Sequence, residues 1–138
     1  MALNVKKVEY FNITIDSSAN EAYKLLSRFS ADGIGLLGFK AVPTEDKCTR
    51  FSLFPNDISK MKESANKAGL KLDGPHCALM VKSDSDEPGE CAEIFNMLSH
   101  DNINILESSG IADIKNSYGV IVYINPEDCD KAMIALKH

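Results

Sequence analysis

The stretch Asp84-Ser85-Asp86-Glu87-Pro88-Gly89-Glu90 lies between the apolar run Cys77-Ala78-Leu79-Met80-Val81 and a segment whose apolar residues fall at Cys91, Ile94, Phe95 and Leu98. That spacing of i, i+3, i+4 and i+7 marks one face of a helix, so the acidic loop joins a strand to a helix. Pro88 suits a first helical turn, and Asp86 and Glu87 complement the positive end of the helix. Gly89 permits close approach to the backbone, where the N–H groups of Gly89 and Glu90 are suited to a carboxylate.

Working back from this loop, Phe11, Ile13 and Ile15 alternate with Asn12 and Thr14, the period of a half-buried strand over Val8 to Ile15. Ser18-Ala19-Asn20-Glu21 has the form of a capping box, and Ala22, Leu25, Leu26 and Phe29 give the helix that follows a buried stripe ending near Asp32-Gly33. Ile34 to Val42, the turn Thr44 to Lys47 and Cys48 to Phe54 form a hairpin. Pro55-Asn56-Asp57 opens a second helix with Ile58, Met61, Ala65 and Ala68 inside and Gly69 at its end, and a short strand is expected at Leu70 to Leu72. Strand, helix, strand, strand, helix, strand is the ferredoxin-like order.

Beyond the turn cluster Asp73-Gly74-Pro75 the order begins again. Strand His76 to Lys82 and helix Pro88 to His100 lead to Ile103 to Ile114, a turn at Lys115-Asn116-Ser117 and strand Tyr118 to Ile124. Asn125 then caps a helix with Pro126 first and Cys129, Ala132, Met133 and Leu136 on one face. At an offset of 69, Ala22, Leu25, Leu26 and Phe29 fall on Cys91, Ile94, Phe95 and Leu98, and Gly33-Ile34-Gly35-Leu36 falls on Asn102-Ile103-Asn104-Ile105. At an offset of 71, Leu53 and Ile58 fall on Ile124 and Cys129, so the chain reads as a duplication. The expected repeats are residues 1–73 and 74–138. The first has Ser17-Ser18-Ala19-Asn20 in place of the loop, and the second lacks a last strand, leaving an open edge or one completed by another repeat or subunit.

The run from Asp84 to Ile105 resembles the signature of ACT domains, small-molecule-sensing modules that often bind amino acids. Asp86, Pro88, Gly89, Ala92, Ile94, Phe95, Leu98, Asn104 and Ile105 match that pattern. The resemblance implies an α+β fold of two ferredoxin-like (βαββαβ) ACT-type repeats, with antiparallel sheets side by side and helices on one face. It also implies a non-catalytic regulatory protein that binds an amino acid, works as a homodimer and has a metabolic enzyme as a possible partner, of the amino-acid biosynthesis or aryl-CoA ligase type. An alternative keeps the enzyme partner and dispenses with the ligand. A helix of roughly 13 residues spans about 20 Å, so one amino acid cannot touch both its ends. Each site is therefore expected to join the loop of one repeat to the strand start of another. One combination is Asp84, Asp86, Pro88, Gly89 and Glu90 with Ile34 and Gly35; the other is Ser17 and Ser18 with Asn104. Asn104 of a second chain facing the Pro-Gly loop is equally open.

Composition narrows the classes of function. A net charge of −5 with a pI near 5.1 gives no basic face for nucleic acid. No run approaches the ~18 to 20 apolar residues of a membrane span, and a cytoplasmic location is expected. Cys48, Cys77, Cys91 and Cys129 lack a Cys-x-x-Cys pair and read as small hydrophobes in a reducing compartment, without disulfide or zinc. His76, His100 and His138 have no metal-ligand spacing, so neither metal nor cofactor is expected. No acid, base and nucleophile converge, which argues against an enzyme. The plain alternative for Asp84 to Glu90 is an exposed acidic turn capping a helix, and for Asn102 and Asn104 it is turn geometry.

Overall fold

The computed structural model describes residues 3–84, 89–112 and 117–137. Among these, the elements run β1 (Leu3–Asp16), α1 (Ala19–Ala31), β2 (Leu36–Pro43), β3 (Cys48–Pro55), α2 (Ile58–Ala68), β4 (Asp73–Ser83), α3 (Glu90–His100), β5 (Ile105–Ala112) and β6 (Tyr118–Ile124). A 3-10 turn at Pro126–Asp128 then leads into α4 (Cys129–Leu136). The chain forms two compact units, Glu9–His76 and Met1–Val8 with Cys77–His138, each with ferredoxin-like strand order.

In the unit Glu9–His76 the strands lie in the order β2-β3-β1-β4, the fourth place being filled by the opening residues of β4. Antiparallel pairs Phe11↔Leu53 and Ile13↔Phe51 put four large side chains on one face. Leu25 and Phe29 of α1 and Met61 and Ala65 of α2 close over them. Each fully buried side chain of this size contributes about 1.5–3 kcal/mol. The Ser18 hydroxyl accepts from the Glu21 N–H at 3.1 Å, one arm of the expected capping box, and the Asp57 carboxylate does the same for Lys60 at 3.0 Å. The short strand expected at Leu70 to Leu72 is instead irregular backbone leaning on the core, and the strand starts at Asp73. Asp73-Gly74-Pro75 looked like a reversal but runs extended. Gly74 is required there because, at φ 137°, a Cβ would lie 2.9 Å from the Tyr10 carbonyl oxygen.

The second unit has the order β1-β4-β6-β5. Leu79↔Val122 and Val81↔Val120 face Ile94 and Leu98 of α3 and Ala132 and Leu136 of α4. Its fourth strand is the opening of β1, residues Leu3 to Val8, with Leu3 and Val5 packed against this core. Of the two readings of the missing strand, the open edge is thereby replaced by a strand from the far end of the chain. β1 thus begins five residues before the expected Val8. Lys6-Lys7 hides the extension, since both are exposed and break the alternation, with Val8 buried out of phase with Leu3, Val5, Phe11 and Ile13. β5 is described as far as Ala112; the expected strand end at Ile114 lies, with the rest of Asp113 to Asn116, outside the described residues.

The helices α1 and α3 end in matching backbone bonds. α1 ends with Gly33 N–H bonded to Ser30 O and Ile34 N–H to Phe29 O; α3 ends with Asn102 N–H bonded to Ser99 O and Ile103 N–H to Leu98 O. Gly33 (φ 76°) and Asn102 (φ 53°) both occupy the left-handed region. Both ends are Schellman motifs, and each is sealed by an isoleucine buried with the helix residue five places earlier.

The cysteines depart from expectation. Cys77 on β4 and Cys129 at the start of α4 are joined as a disulfide, while Cys48 and Cys91 are free thiols. A strand residue and a helix residue 52 positions apart meet only through the tertiary fold, so no local spacing announces the pair.

Candidate functional site

The loop that carries most of the predicted residues leaves the end of β4 and enters α3. Asp84 is exposed at its near side, and Gly89 at its far side takes φ 97° as the residue preceding α3. Among the described residues, nothing lies within 4 Å of where a Gly89 Cβ would stand. Ser85, Asp86, Glu87 and Pro88 lie outside the described residues, and with them the predicted Asp86 and Pro88. The Gly89 carbonyl accepts the Glu93 N–H at 2.9 Å, starting the helical ladder. The N–H groups of the first turn have no carbonyl within their own helix. In α1 the Ser18 side chain supplies an acceptor for such a donor, and Gly89 has no side chain to do so.

Glu90 points inward. It is 8% exposed and its Oε2 accepts a 2.7 Å hydrogen bond from the Oγ of Ser83, which is fully buried at the end of β4. Glu90, Ile94 and Leu98 form the inner stripe at intervals of four, leaving Cys91 exposed, one position round the helix. The expected apolar stripe thus begins with a carboxylate where Cys91 was anticipated. The Cys91 thiol interacts with the phenol of Tyr118 on β6. That hydrogen bond, followed by burial, raises the phenol above its ordinary value.

The other predicted residues occupy strand starts. Asn104 is exposed just before β5. In its own unit it stands at the opposite end from Gly89. β5 begins opposite Ile124, beside the Ala78 end of β4, whereas Ser83 pairs with Tyr118. The five steps from Ala78 to Ser83 span about 17 Å. In the other unit, Ile34 is 5% exposed with its side chain in the core and its N–H bonded to Phe29 O. Gly35 donates its N–H to Asn56 Oδ1 at 3.2 Å and accepts from the Asn56 N–H at 2.9 Å. A Cβ on Gly35 would come within 3.1 Å of the Asn56 amide.

A feature outside the predicted set is a groove of about 200 Å³ in the unit Glu9–His76, lined by Asp32, Lys60, Glu63, Ser64 and Lys67. Its charges are largely engaged: Ser64 donates to Asp32, and Lys67 pairs with Glu63 at 3.4 Å. Among the described residues, no three His, Cys, Asp or Glu side chains gather as a metal site. None of the described helices is long and apolar enough to cross a membrane.

No protein-family model and no curated protein matches the chain. Solved structures do. Protein BT0572 from Bacteroides thetaiotaomicron is similar with a TM-score of 0.82 at 14% identity, over 96% of this chain and 88% of that one. The regulatory subunit of aspartate kinase from Thermus thermophilus, in its ligand-free form, gives 0.68 at 14% identity over 99% and 93%. The corresponding subunit from Thermus flavus gives 0.62 at 17% over 99% and 94%. At such identities the likeness speaks for the architecture, and the chain has an ACT-like α+β fold of ferredoxin-like repeats.

Proposed function

We propose that this chain is a non-catalytic regulatory protein that binds a free amino acid at the start of α3 and reports its occupancy through assembly with a second copy. The observation that carries the reading is Gly89, held at φ 97° before a helix with nothing among the described residues within 4 Å of a Cβ. The first-turn N–H groups suit the ligand carboxylate, and the exposed carboxylate of Asp84 suits its ammonium. Asp86 and Pro88 belong to the same proposed loop by sequence. Glu90 contributes its backbone N–H, its carboxylate being committed to Ser83. Asn104 stands too far along its own unit to join this loop, so it serves from the second copy, and the exposed position before β5 supports that use. Ile34 and Gly35, the equivalent strand start of the first repeat, are proposed to line a ligand site in the same way, although the Ile34 N–H and the N–H and carbonyl of Gly35 already have partners in Phe29 and Asn56. A ligand that prefers the assembled form shifts the assembly by its differential affinity, and that shift is the regulatory signal.

Calorimetric titration against each of the twenty amino acids tests the reading. At least one is expected to release heat that Gly89→Val abolishes while the thermal melt stays cooperative. Silence from all of them, or an unchanged isotherm in Gly89→Val, would overturn it.

The second reading, a regulatory subunit that accompanies a metabolic enzyme without a ligand of its own, draws on the aspartate kinase subunits among the similar structures. Co-purification with an enzyme that survives Gly89→Val would favour it.

A further inference from the structure

We propose that Cys77 and Cys129 are a reversible redox couple that fastens α4 to β4 when oxidised and loosens the helix when reduced. The inference uses no ligand and stands apart from the function proposed above. It begins with how little else holds α4. The helix has eight residues, too short to persist without packing. Its buried positions are Cys129, Ala132, Ala135 and Leu136, of which the two alanines bring little apolar area. Ile134 is 60% exposed, and the Lys7–Asp130 ion pair at 3.3 Å is on the surface, where such pairs contribute little. Met133 packs part-buried against the same core, and the bond to β4 adds a covalent tether to this helix.

The remaining chemistry separates this pair from a permanent staple. Two apolar clusters already supply a core, and Cys48 and Cys91 remain thiols, so the chain is not a disulfide-built scaffold. The two sulfurs differ in access: Cys77 is part-buried, whereas Cys129 is 1% exposed. A small thiolate attacks the Cys77 sulfur, the S–S bond breaks, and its electron pair leaves on the Cys129 sulfur, which takes up a proton. A second thiolate attacks the mixed disulfide, releasing Cys77 as a thiol and the small molecule as its own disulfide. Two small thiols are oxidised and one protein disulfide is reduced; the reverse sequence, driven by the small-molecule disulfide, closes the pair.

The test uses the full chain with Cys48→Ser and Cys91→Ser, equilibrated across mixtures of reduced and oxidised glutathione. Alkylation and intact mass count the thiols, and amide hydrogen exchange follows α4 and β6. The expected result is conversion of both cysteines together within the glutathione range, with α4 amides exchanging about tenfold or more faster when reduced and β6 amides unmoved. Cys129→Ser should show the faster α4 exchange at every ratio. A pair that alkylates at all ratios, one that resists reduction until the whole fold melts, or α4 exchange indifferent to the bond would each overturn the proposal. Should the double serine background fold poorly, peptide mapping of alkylated Cys77 and Cys129 in the unaltered chain gives the same readout.

Discussion

Ser83 Oγ and Glu90 Oε2 are 2.7 Å apart, and through them the last residue of β4 is tied to the first residue of α3. Both residues are buried, so the carboxylate has little access to water as a substitute partner. Ser83→Ala is expected to lower stability by about 1–3 kcal/mol, the cost of leaving a buried polar group without its partner. Urea denaturation should show a lower midpoint with an unchanged slope. An unaltered midpoint would mean that the tie is dispensable.

Two glycines in left-handed or related backbone should respond unequally to a methyl group. Gly69 at φ 68° has nothing among the described residues within 4 Å of a Cβ, so Gly69→Ala costs only the conformational penalty, about 1–2 kcal/mol. Gly74→Ala meets the Tyr10 carbonyl oxygen at 2.9 Å as well and should cost distinctly more. Thermal melts of the two variants side by side give the comparison; equal losses would refute the close-approach argument.

The paired helix ends offer a prediction of the opposite sign. Asn102 holds the left-handed position that glycine holds at Gly33. Asn102→Gly is expected to stabilise the chain by a few tenths of a kcal/mol to about 1 kcal/mol, since glycine meets no Cβ penalty there. Asn102→Ala should move the denaturation midpoint the other way.

Tyr118 should ionise above the ordinary tyrosine value. Its folded-state value is raised above 10.0, first by the hydrogen bond with Cys91 and then by burial. The contribution to stability is complete below pH 10.0 and is lost as the pH climbs through the raised value. An ultraviolet titration of the folded chain should include a phenol that ionises late, above pH 10.0. Tyr118→Phe should remove that step, and Cys91→Ala should bring it earlier.

Patterns written into neighbouring residues were legible in the sequence, and encounters between distant ones were not. The alternation of Phe11, Ile13 and Ile15, the Ser18 cap, the β6 boundaries and the offset of 69 all rest on local spacing, and the matching bonds at Ile34 and Ile103 show how closely that offset is followed. Lys6-Lys7 concealed the opening of β1 because it interrupts the period that marks a strand. Asp73-Gly74-Pro75 carries turn chemistry but serves a close strand approach. Glu90 was legible as a loop acid; its inward direction depends on Ser83, seven residues away on another element. Cys77 and Cys129 meet across 52 residues, which only folding can arrange.

The placement of Leu3 to Val8 beside β4 has a consequence for biogenesis. On the ribosome this hexapeptide emerges before any other part of the unit it closes, and must wait for Cys77 to Ser83 to appear. Glu9–His76, by contrast, holds nearly all its pairing partners within one uninterrupted span and can mature while synthesis continues. The later unit therefore inherits the longer loop closure and the slower step, and shielding the waiting hexapeptide with a bulky fusion should retard that unit alone.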